Sequence, residues 1–578
     1  MPRFSFASFL AIVLSFTSFV HAQTNTSWND TNGDWSDVSN WTNGMPDGFF
    51  QATLSGNTAN VAQDMAGLNL WGLNVNTGSA NLVLDNSLTI TNHLDFQAGQ
   101  ISGQADINLA HGATASLGGT AVFIGGGAGT LRVNGTAIVE DAFHSNGFFE
   151  LSGDGVIDGA GLLSVNNAFT WDGGTMTGSG VTELTTGSLV KGGTLDRTVE
   201  NSAGLILTGS GLVGTSNAVW NNRTSSGLFK ISGDESLLGA GTFNNLEDSF
   251  LKKSGGSGLS VIEWDVVHEG QMILVEVGTL SLQGSSFLNG QLMVDESAVL
   301  DFNGDTEFGS NASNAGDGTI SLSGGTATFA HNYNADLDTE FSGVTVANSG
   351  QLNFNRDVDI RNAVFNGNGT IALNSTGTIA NASIESNFLN SGQLSVEGGN
   401  NVFAGNFNQS EHAELYLNQA EIEFGSDVAI ELQGNLTGSG IIRSESVLIV
   451  EGTVAPGPDI GELLFEGDLE FRESAVLNFQ LDEQLQSDLI SVTGDLTLDG
   501  SIAIDVAENA TTGVYTLFEY GGTLSDLGIE LLLHDGVRGD LYNNVGSRQV
   551  ELRVTSIPEP FAGPLLAGMF LFSARRKK

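Results

Sequence analysis

Residues 82–96 read Leu82-Val83-Leu84-Asp85-Asn86-Ser87-Leu88-Thr89-Ile90-Thr91-Asn92-His93-Leu94-Asp95-Phe96. Three short apolar runs are separated here by two triplets of turn-forming residues. Alternation with a period of two, bounded by Asn, Asp and Ser, is typical of half-buried β-strands. The same pattern recurs over residues 495–506, around the turn Asp499-Gly500. Because no stretch shows a capped apolar stripe at helical spacing, the pattern predicts an all-β body.

A phrase of Gly, Thr and an aliphatic residue recurs along the chain. Its copies begin at Gly129, Gly193, Gly278, Gly318, Gly369, Gly377 and Gly522. Each copy places a turn residue before a strand start, as in units that stack coil upon coil, although the spacing is irregular. Short strands without helix-length crossovers favour a right-handed parallel β-helix with coils of roughly 20 to 25 residues. Stacked β-sandwiches of about 100 residues are the alternative.

The composition limits the functional classes. The chain has 578 residues, with 66 acidic side chains, 19 basic ones, a formal net charge of −47 and no Cys. A negative charge of this size argues against nucleic acid as a partner, because nucleic acid is itself anionic. The lack of Cys excludes disulfides, thiolate metal sites and cysteine nucleophiles. A hydrophobic fraction of 40% argues against disorder.

The N-terminus has the features of a secretory signal peptide. Arg3 precedes an apolar run over residues 4–20, and Val20-His21-Ala22 supplies small residues at the −3 and −1 positions. We therefore predict a short signal helix and cleavage between Ala22 and Gln23. An uncleaved membrane anchor is the alternative.

The C-terminus has three parts in a fixed order. They are Pro558-Glu559-Pro560, an apolar run over residues 561–574, and the cluster Arg575-Arg576-Lys577-Lys578. As a hydrophobic helix the apolar run would reach about 21 Å, short of a hydrocarbon core of about 30 Å.

This order resembles the PEP-CTERM sorting signal of Gram-negative bacteria. The resemblance implies an exported chain whose tail contacts the inner membrane transiently, until an exosortase-type membrane protease recognises and removes it. A retained C-terminal anchor is the alternative. Removal of both ends takes away Arg3, Glu559 and the four terminal cations, which leaves 14 basic and 65 acidic residues and a net charge of −51.

Three parts of the body resemble autotransporter passenger proteins. Residues 169–180 carry Trp171-Asp172-Gly173-Gly174 and are similar to the tandem W-x-G-G repeats of large secreted surface proteins. Residues 28–46 contain three Trp and resemble the segment that begins the solenoid in such chains. Residues 454–463 and 487–494 resemble the closing motifs P-G-x-S-x-G-x-L and Y-D-x-L-x-V-x-G, with Ser487 in the place of the usual Tyr. The resemblance implies a β-solenoid.

These features predict five segments. They are a signal peptide (1–22), a Trp-containing cap with the first coils (23–75), degenerate solenoid repeats (76–455), a passenger-like closing region (456–556) and a sorting tail (557–578). Trp28, Trp35 and Trp41 are predicted to cap the open edge of the first coil, and a stacking platform for sugar rings is their alternative role.

No catalytic residues are predicted. The 14 Lys and Arg of the mature chain are scattered, and their one adjacent pair, Lys252-Lys253, is expected in a solvated turn. Thirteen of the 35 Asp residues adjoin a Gly, in Gly-Asp or Asp-Gly turns where they are expected to accept local hydrogen bonds. A β-helix enzyme that cleaves polysaccharide needs clustered carboxylates or a carboxylate beside a cation. Such a lyase or hydrolase is kept as the alternative function.

No metal site and no cofactor are predicted. The seven His outside the signal peptide are widely spaced, so zinc would need long-range assembly. They are His93, His111, His144, His268, His331, His412 and His534. Two series, residues 30–34 and 301–307, imitate the start of a calcium loop but lack its Gly at position six and Glu at position twelve. Only weak, diffuse association of divalent cations with the acidic surface is expected.

The sequence therefore predicts an exported structural or adhesive protein of the cell surface or extracellular matrix. Its expected partners are the exosortase-type protease and extracellular polysaccharide or other matrix components.

Overall fold

The computed structural model describes residues 24–29, 32–54, 60–126, 128–223, 227–246, 248–426, 430–482, 485–507, 510–534 and 536–557. Within these ranges the chain consists of short β-strands, and the one helical element is the 3-10 turn Val38–Asn40. The predicted signal helix and C-terminal hydrophobic helix lie outside the described residues.

The chain divides into two compact units, formed by residues 1–230 with 235–242 and by residues 231–234 with 243–578. The strands of the first unit are Thr24–Ser27, Asn32–Asp34, Phe50–Leu54, Asn60–Gln63, Leu68–Leu84, Leu88–Gly103, Ile107–Leu109, Thr114–Leu117, Val122–Gly125, Thr130–Val133, Thr136–Val139, Phe143–Ser145, Phe148–Asp158, Leu163–Val165, Phe169–Met176, Val181–Leu184, Ser188–Leu195, Thr198–Asn201, Gly204–Gly214, Val219–Asn222 and Leu237–Gly239. Two strands, Leu228–Ile231 and Thr242–Asn245, contain residues of both units.

The strands of the second unit are Phe250–Lys253, Leu259–Ile262, Asp265–His268, Met272–Val275, Thr279–Leu282, Ser286–Leu288, Gln291–Val294, Val299–Phe302, Thr306–Phe308, Ser313–Gly316, Thr319–Leu322, Thr326–Phe329, Tyr333–Ala335, Asp338–Ser342, Thr345–Asn348, Gln351–Phe354, Val358–Arg361, Val364–Asn366, Thr370–Leu373, Thr376–Ala380, Ser383–Ile384, Asn387–Asn390, Gln393–Glu397, Asn400–Phe403, Phe407–Gln409, Glu414–Phe424, Ile430–Leu432, Asn435–Ser444, Leu448–Val450, Thr453–Ala455, Glu462–Glu466, Leu469–Phe471, Val476–Leu481, Leu489–Val492, Leu496–Leu498, Ser501–Val506, Gly513–Tyr520, Leu524–Asp526, Glu530–Leu533, Arg538–Asn544 and Gln549–Ser556.

Each unit is a parallel β-solenoid. In the second unit Leu280 lies beside Leu300, and Leu300 lies beside Ile320, so equivalent residues recur coil after coil. The first unit repeats in the same way, with Phe149 beside Phe169. The prediction of a parallel β-helix is therefore confirmed. Stacked sandwiches are excluded for the described residues, because sandwich sheets are antiparallel.

The coil length varies along the chain. Thr370 lies beside Asn387 in a short coil, whereas Ser501 lies beside Glu530 in a much longer one. The Gly-Thr phrase itself begins a strand at Thr279 and Thr319 but lies at the end of the strand Ser188–Leu195. The phrase therefore marks turns in general and not one repeated position of the coil.

The solenoid interior is filled by apolar columns that run from coil to coil. Along each strand alternate side chains point inward, and Leu280, Leu300 and Ile320 are exposed by 2% or less. Each such residue packs on its equivalents in the coils before and after it. Burial of one Leu or Ile side chain contributes about 1.5–3 kcal/mol. The stack is therefore held together by contacts between coils and not by a single central core.

One sheet of the second unit has ten parallel strands, one from each successive coil. It begins with Tyr333–Ala335, continues through Gln351–Phe354 and Thr370–Leu373, and ends with Leu524–Asp526. The antiparallel strand pairs assigned in the described chain involve its last strands. There Gln549–Ser556 pairs with both Gly513–Tyr520 and Arg538–Asn544.

A turn of the second unit repeats a left-handed residue in successive coils. Gly343, Asn362, Asn381, Gly399 and Gln419 have φ angles of 67, 52, 54, 80 and 51°. The Gly343 N–H donates a hydrogen bond to the Arg361 carbonyl, and the Asn362 N–H donates one to the Ala380 carbonyl. These hydrogen bonds place the turns above one another. The side chains also stack, since Asn381 Nδ2 donates to Asn362 Oδ1 at 2.7 Å. Asn tolerates this backbone region better than other residues with a Cβ.

Asn381 is a position at which the backbone requirement can be measured. Asn381→Ala loses the side-chain hydrogen bond and keeps a Cβ in the left-handed region without the polar group that makes Asn tolerate it, whereas Asn381→Gly loses the bond but also removes the Cβ. We expect the Gly variant to have the larger free energy of unfolding, by about 1 kcal/mol, in denaturant titrations. Equal stability of the two variants would show that the left-handed turn imposes no requirement.

Candidate functional surfaces

Exposed Asn side chains form hydrogen-bonded ladders beside the ten-stranded sheet. Asn355 Nδ2 donates to Asp336 Oδ1 at 2.7 Å, and Asn374 Nδ2 donates to Asn355 Oδ1 at 2.9 Å. A neighbouring pair is joined in the same way, with Asn353 Nδ2 donating to Asn334 Oδ1 at 2.8 Å. Successive members are 19 residues apart, which is one coil. The result is a row of oriented amide groups at the strand spacing of about 4.8 Å.

A groove of about 670 Å³ lies on the first unit and contains two carboxylates on neighbouring coils. Glu183 and Glu200 are register partners in adjacent parallel strands. The Glu200 carboxylate is engaged on both oxygens, by Arg223 Nε at 2.6 Å and by Asn221 Nδ2 at 2.6 Å. A hydrolase would need a carboxyl positioned to protonate a leaving group. The Glu200 carboxylate instead binds the Arg223 guanidinium and the Asn221 amide.

The calcium-like series over residues 301–307 is not gathered around one point. Asp301 accepts hydrogen bonds from Ser281 Oγ at 2.7 Å, from Ser321 Oγ at 2.9 Å and from Ser323 Oγ at 2.6 Å. These hydroxyls come from adjacent coils and engage both oxygens of the carboxylate. Among the described residues no three His, Asp or Glu are arranged to hold a metal ion. The other series includes Asp30, which lies outside the described residues.

His268 is a buried histidine with a structural environment. Its Nδ1 lies 3.1 Å from Asn245 Nδ2 and its Nε2 lies 3.1 Å from the Gln291 carbonyl oxygen. An amide donor on one side and a carbonyl acceptor on the other require the neutral ring with the proton on Nε2. Burial lowers the pKa of His268 to about 4. The ring is therefore neutral at physiological pH and joins neighbouring coils.

Arg197 is a buried cation inside the first unit. It is 1% exposed and donates Nη1 to the Thr177 carbonyl at 3.2 Å and Nη2 to the Gly161 carbonyl at 3.3 Å. Burial lowers the pKa of Arg197 to about 10, which leaves the guanidinium charged at neutral pH. A Cβ on Gly180 would lie 2.6 Å from Arg197 Nη2. Gly180 closes the W-x-G-G stretch, so this Gly leaves room for the guanidinium.

The prediction of a solvated turn at Lys252-Lys253 is wrong. Both residues belong to the strand Phe250–Lys253, and Lys253 is fully buried. Its Nζ donates to the Gly233 carbonyl at 2.7 Å and to Asp234 Oδ1 at 3.0 Å. Lys252 faces outward and pairs with Glu276 at 2.6 Å. The pair alternates across the strand, as a period of two requires.

Trp28, Trp35 and Trp41 pack on one another near the start of the described chain. The ring centroids are 5.0 Å apart for Trp28 and Trp41 and 4.6 Å apart for Trp35 and Trp41, both edge to face. The three residues are 5%, 0% and 4% exposed. Stacking on a sugar needs an exposed ring face. The three Trp side chains therefore form a packed core, and none of their rings has an exposed face on which a sugar could stack.

The two closing motifs meet at Asp488. Its Oδ1 accepts the Gly461 N–H at 2.8 Å, across 27 residues, and its Oδ2 accepts the Gln480 N–H at 2.8 Å. The residue is 1% exposed, and burial raises its pKa to about 6 although both hydrogen bonds act in the opposite direction. Gly461 lies in the first motif and Asp488 in the second. The carboxylate therefore fixes one motif to the other.

The predicted processing sites are outside the described residues. These are Ala22 and Gln23 at one end, and Pro558, Glu559, Pro560, Arg575, Arg576, Lys577 and Lys578 at the other. In the part of the chain that the structure describes, no helix has both the length and the apolar character that a membrane crossing requires.

The Asn ladders and the buried cations were missed by the sequence reasoning. A signal for the ladders is present, because Asp336, Asn355 and Asn374 recur every 19 residues. Arg197 carries no comparable signal, since its partners are backbone carbonyls of two earlier coils.

Comparison with known proteins gives partial likenesses. No protein-family model matches the chain. A segment is 35% identical over 114 residues to the adhesin BmaC autotransporter of Brucella suis biovar 1 (strain 1330), which covers 18% of this chain and 3% of that protein. The crystal structure of the Haemophilus influenzae Hap adhesin is similar at 13% identity and a TM-score of 0.25. That likeness covers 81% of this chain and 64% of the Hap chain.

We expect Asp488 to contribute more to stability at acidic pH than at neutral pH. Its folded pKa of about 6 lies above the ordinary value of 3.8, so folding favours the protonated form. The contribution is complete below about pH 4 and is lost as the pH rises through about 6. The loss of unfolding free energy caused by Asp488→Ala should therefore be larger at about pH 4.5 than at about pH 7.5, by an amount of the order of 2 kcal/mol.

Asp495→Ala serves as the matched control. The Asp495 carboxylate is exposed and accepts the Thr523 N–H at 2.7 Å, and this bond lowers the pKa of Asp495. Its contribution is present above its unfolded pKa and is lost on acidification, so the effect of this variant should shrink at low pH. The same pH dependence for both variants would contradict the assignment to Asp488.

Proposed function

We propose that this chain is an exported, non-enzymatic structural and adhesive protein of the Gram-negative cell surface or extracellular matrix. An exosortase-type protease recognises its C-terminal tail and cleaves it. The signal-like N-terminus and the three-part tail support export and sorting. The likeness of 18% of the chain to the BmaC adhesin supports an adhesive role.

The observation that carries the adhesive proposal is the Asn ladder. Asn355 and Asn374 are exposed, and hydrogen bonds between coils hold their amides in fixed orientations. An amide has two donors and two acceptor positions, so even Asn355, which makes two ladder bonds, keeps one donor and one acceptor position for a ligand. A regular row of oriented donors and acceptors suits an extended polymer with repeating hydroxyl groups. We therefore assign this surface to extracellular polysaccharide.

The negative charge of the chain determines the ionic conditions under which an acidic polysaccharide can bind. Among the residues that the structure describes, ten of the fourteen Lys and Arg between residues 23 and 557 lie close to an Asp or Glu, which leaves few cations for an acidic polymer. The net charge of −51 repels anionic polysaccharide. Divalent cations spread diffusely over the acidic surface would reduce this repulsion. A chelator should therefore weaken binding of an acidic polysaccharide.

The alternative is a polysaccharide-degrading enzyme that uses the groove with Glu183 and Glu200. Two carboxylates on neighbouring coils favour it, because glycosidases act with a carboxyl pair. Against it stand the engagement of Glu200 by Arg223 and the open form of the groove, which does not exclude water.

The ladder can be tested with the chain of residues 23–557 and the extracellular polysaccharide of the producing bacterium. Asn355→Ala combined with Asn374→Ala removes two amides, each worth about 1 kcal/mol, so binding should weaken about thirtyfold. Asn166→Ala is the control, because Asn166 donates to Asn146 at 2.9 Å in the same way on the first unit.

Three outcomes would contradict this assignment. One is equal binding by the ladder variant and the wild type, and another is binding of an acidic polysaccharide that a chelator leaves unchanged. The third is release of reducing sugar ends that Glu183→Gln abolishes, which would favour the enzyme.

The sorting proposal has a separate test at the C-terminus. Mass spectrometry of the chain isolated from the surface or medium of the native host should find a C-terminus from which Arg575 to Lys578 are missing. The intact chain from a host without an exosortase is the control. Surface chains that keep these four residues would favour the retained anchor.

A further inference from the structure

A groove of about 420 Å³ on the second unit is lined by two rows of outward-facing side chains. In three successive strands Val267 lies beside Phe287, and Phe287 lies beside Glu307. A second row runs parallel to this one, because residues two positions apart on a strand face the same side of a sheet. The two rows are Val267, Phe287 and Glu307, and Asp265, Ser285 and Asp305.

The floor of the groove carries an aromatic side chain on the outside of the solenoid. In neighbouring strands Phe302, Phe308 and Phe329 point inward and are at most 2% exposed. Phe287 instead points outward and is only partly buried. Val267, which lies beside it on the preceding coil, is also partly buried. Together they form an apolar surface against which the apolar side of a sugar ring can pack.

The carboxylates of Asp265 and Asp305 are held in place by the backbone of the next coil. Asp265 Oδ1 accepts the Ser285 N–H at 2.9 Å, and Asp305 Oδ1 accepts the Thr326 N–H at 2.8 Å. Glu307 is exposed beside Phe287. Within the described chain no Lys or Arg forms an ion pair with any of these three carboxylates. The groove therefore has fixed negative charges that a cationic ligand can neutralise.

The spacing of the carboxylates suits a row of cations and not one metal ion. Asp265 and Asp305 are two coils apart, which is about 9.6 Å at the strand spacing of about 4.8 Å. A calcium ion needs its oxygen ligands within about 2.6 Å. Among the described residues no three His, Asp or Glu are arranged to hold a metal ion. Protonated amines at intervals along an extended polymer match this spacing better, because each amine can bind a separate carboxylate.

We propose that this groove binds a polysaccharide of hexosamine units with free, protonated amino groups. The ammonium groups bind the carboxylates of Asp265, Asp305 and Glu307, and one sugar ring stacks on Phe287. The negative charge of the chain, which repels acidic polysaccharide, attracts such a polymer. This inference deepens the proposed function and rests on it for the class of ligand. It uses a surface separate from the Asn ladders.

Two sugar tetramers that differ chiefly in charge test the groove. They are the β-1,4-linked tetramer of glucosamine and its fully N-acetylated form, which has no amine. Binding to the chain isolated from the native host is measured by titration calorimetry at mildly acidic pH, where the amines of glucosamine are protonated. We expect the glucosamine tetramer to bind about tenfold more tightly than the acetylated one.

The charge and the aromatic surface can be removed separately. Asp265→Asn combined with Asp305→Asn removes two charges and keeps a side-chain oxygen for each backbone hydrogen bond. This variant should bind the glucosamine tetramer about tenfold more weakly and the acetylated tetramer as the wild type does. Phe287→Ala should weaken the binding of both tetramers about fivefold, because both present the same apolar ring side.

Asp468→Asn combined with Asp495→Asn is the matched control. Asp468 Oδ1 accepts the Asp495 N–H at 2.7 Å, and Asp495 Oδ1 accepts the Thr523 N–H at 2.7 Å, so both carboxylates bond to the next coil as in the groove. The control removes the same charge from another part of the second unit. It should bind the glucosamine tetramer as the wild type does.

Three results would overturn the inference. One is equal loss of glucosamine binding in the control and in the groove variant, which would assign binding to the net charge alone. Another is calcium binding that Asp265→Asn with Asp305→Asn abolishes, which would assign the groove to a metal ion. The third is equal affinity of the wild type for both tetramers. If binding of the native polysaccharide then still depends on the Asn ladder, the proposed function stands and this inference alone fails.

Discussion

Everything in this structure depends on the stacking of one parallel coil on the next. A coil alone has one strand per face and cannot bury its own apolar side chains. Leu300 becomes fully buried because Leu280 precedes it and Ile320 follows it. The same constraint makes the two ends exceptional, since a terminal coil has a neighbour on one side only. Packed Trp side chains lie near the first described coils, whereas leucines stay partly exposed at the last.

Several polar groups in the interior join neighbouring coils. Arg197 bonds to carbonyls of two earlier coils, His268 connects Asn245 with Gln291, and Asp488 connects residues 461 and 480. Burial of such groups is unfavourable unless each finds partners, and here most of the partners are backbone atoms. The pKa of His268 is lowered and that of Asp488 is raised by the same desolvation. Acidification therefore acts on these two groups in opposite directions.

Function in such an architecture belongs to the outward-facing side chains. The interior columns constrain every second residue, and the residues between them are available for contacts with other molecules. In the second unit the outward positions build a row of Asn and Asp side chains, and in the first unit they build a shallow groove around Glu183 and Arg223. The proposed adhesion to a polymer depends on repeated weak contacts along such a row of side chains.

The sequence by itself determined an all-β body and favoured the parallel solenoid over stacked sandwiches, because period-two alternation and Gly-Asn punctuation leave few ways to bury short strands. It also contained the signal-like N-terminus and the three-part tail, which predict export and sorting and are read locally along the chain. Tertiary structure decided which residues meet across a coil, because the coils differ in length and no fixed period predicts the register. The burial of Lys253, the bond from Arg197 to the Gly161 carbonyl and the bond between Asp488 and Gly461 all depend on this register. None of the three can be predicted before the coils are stacked.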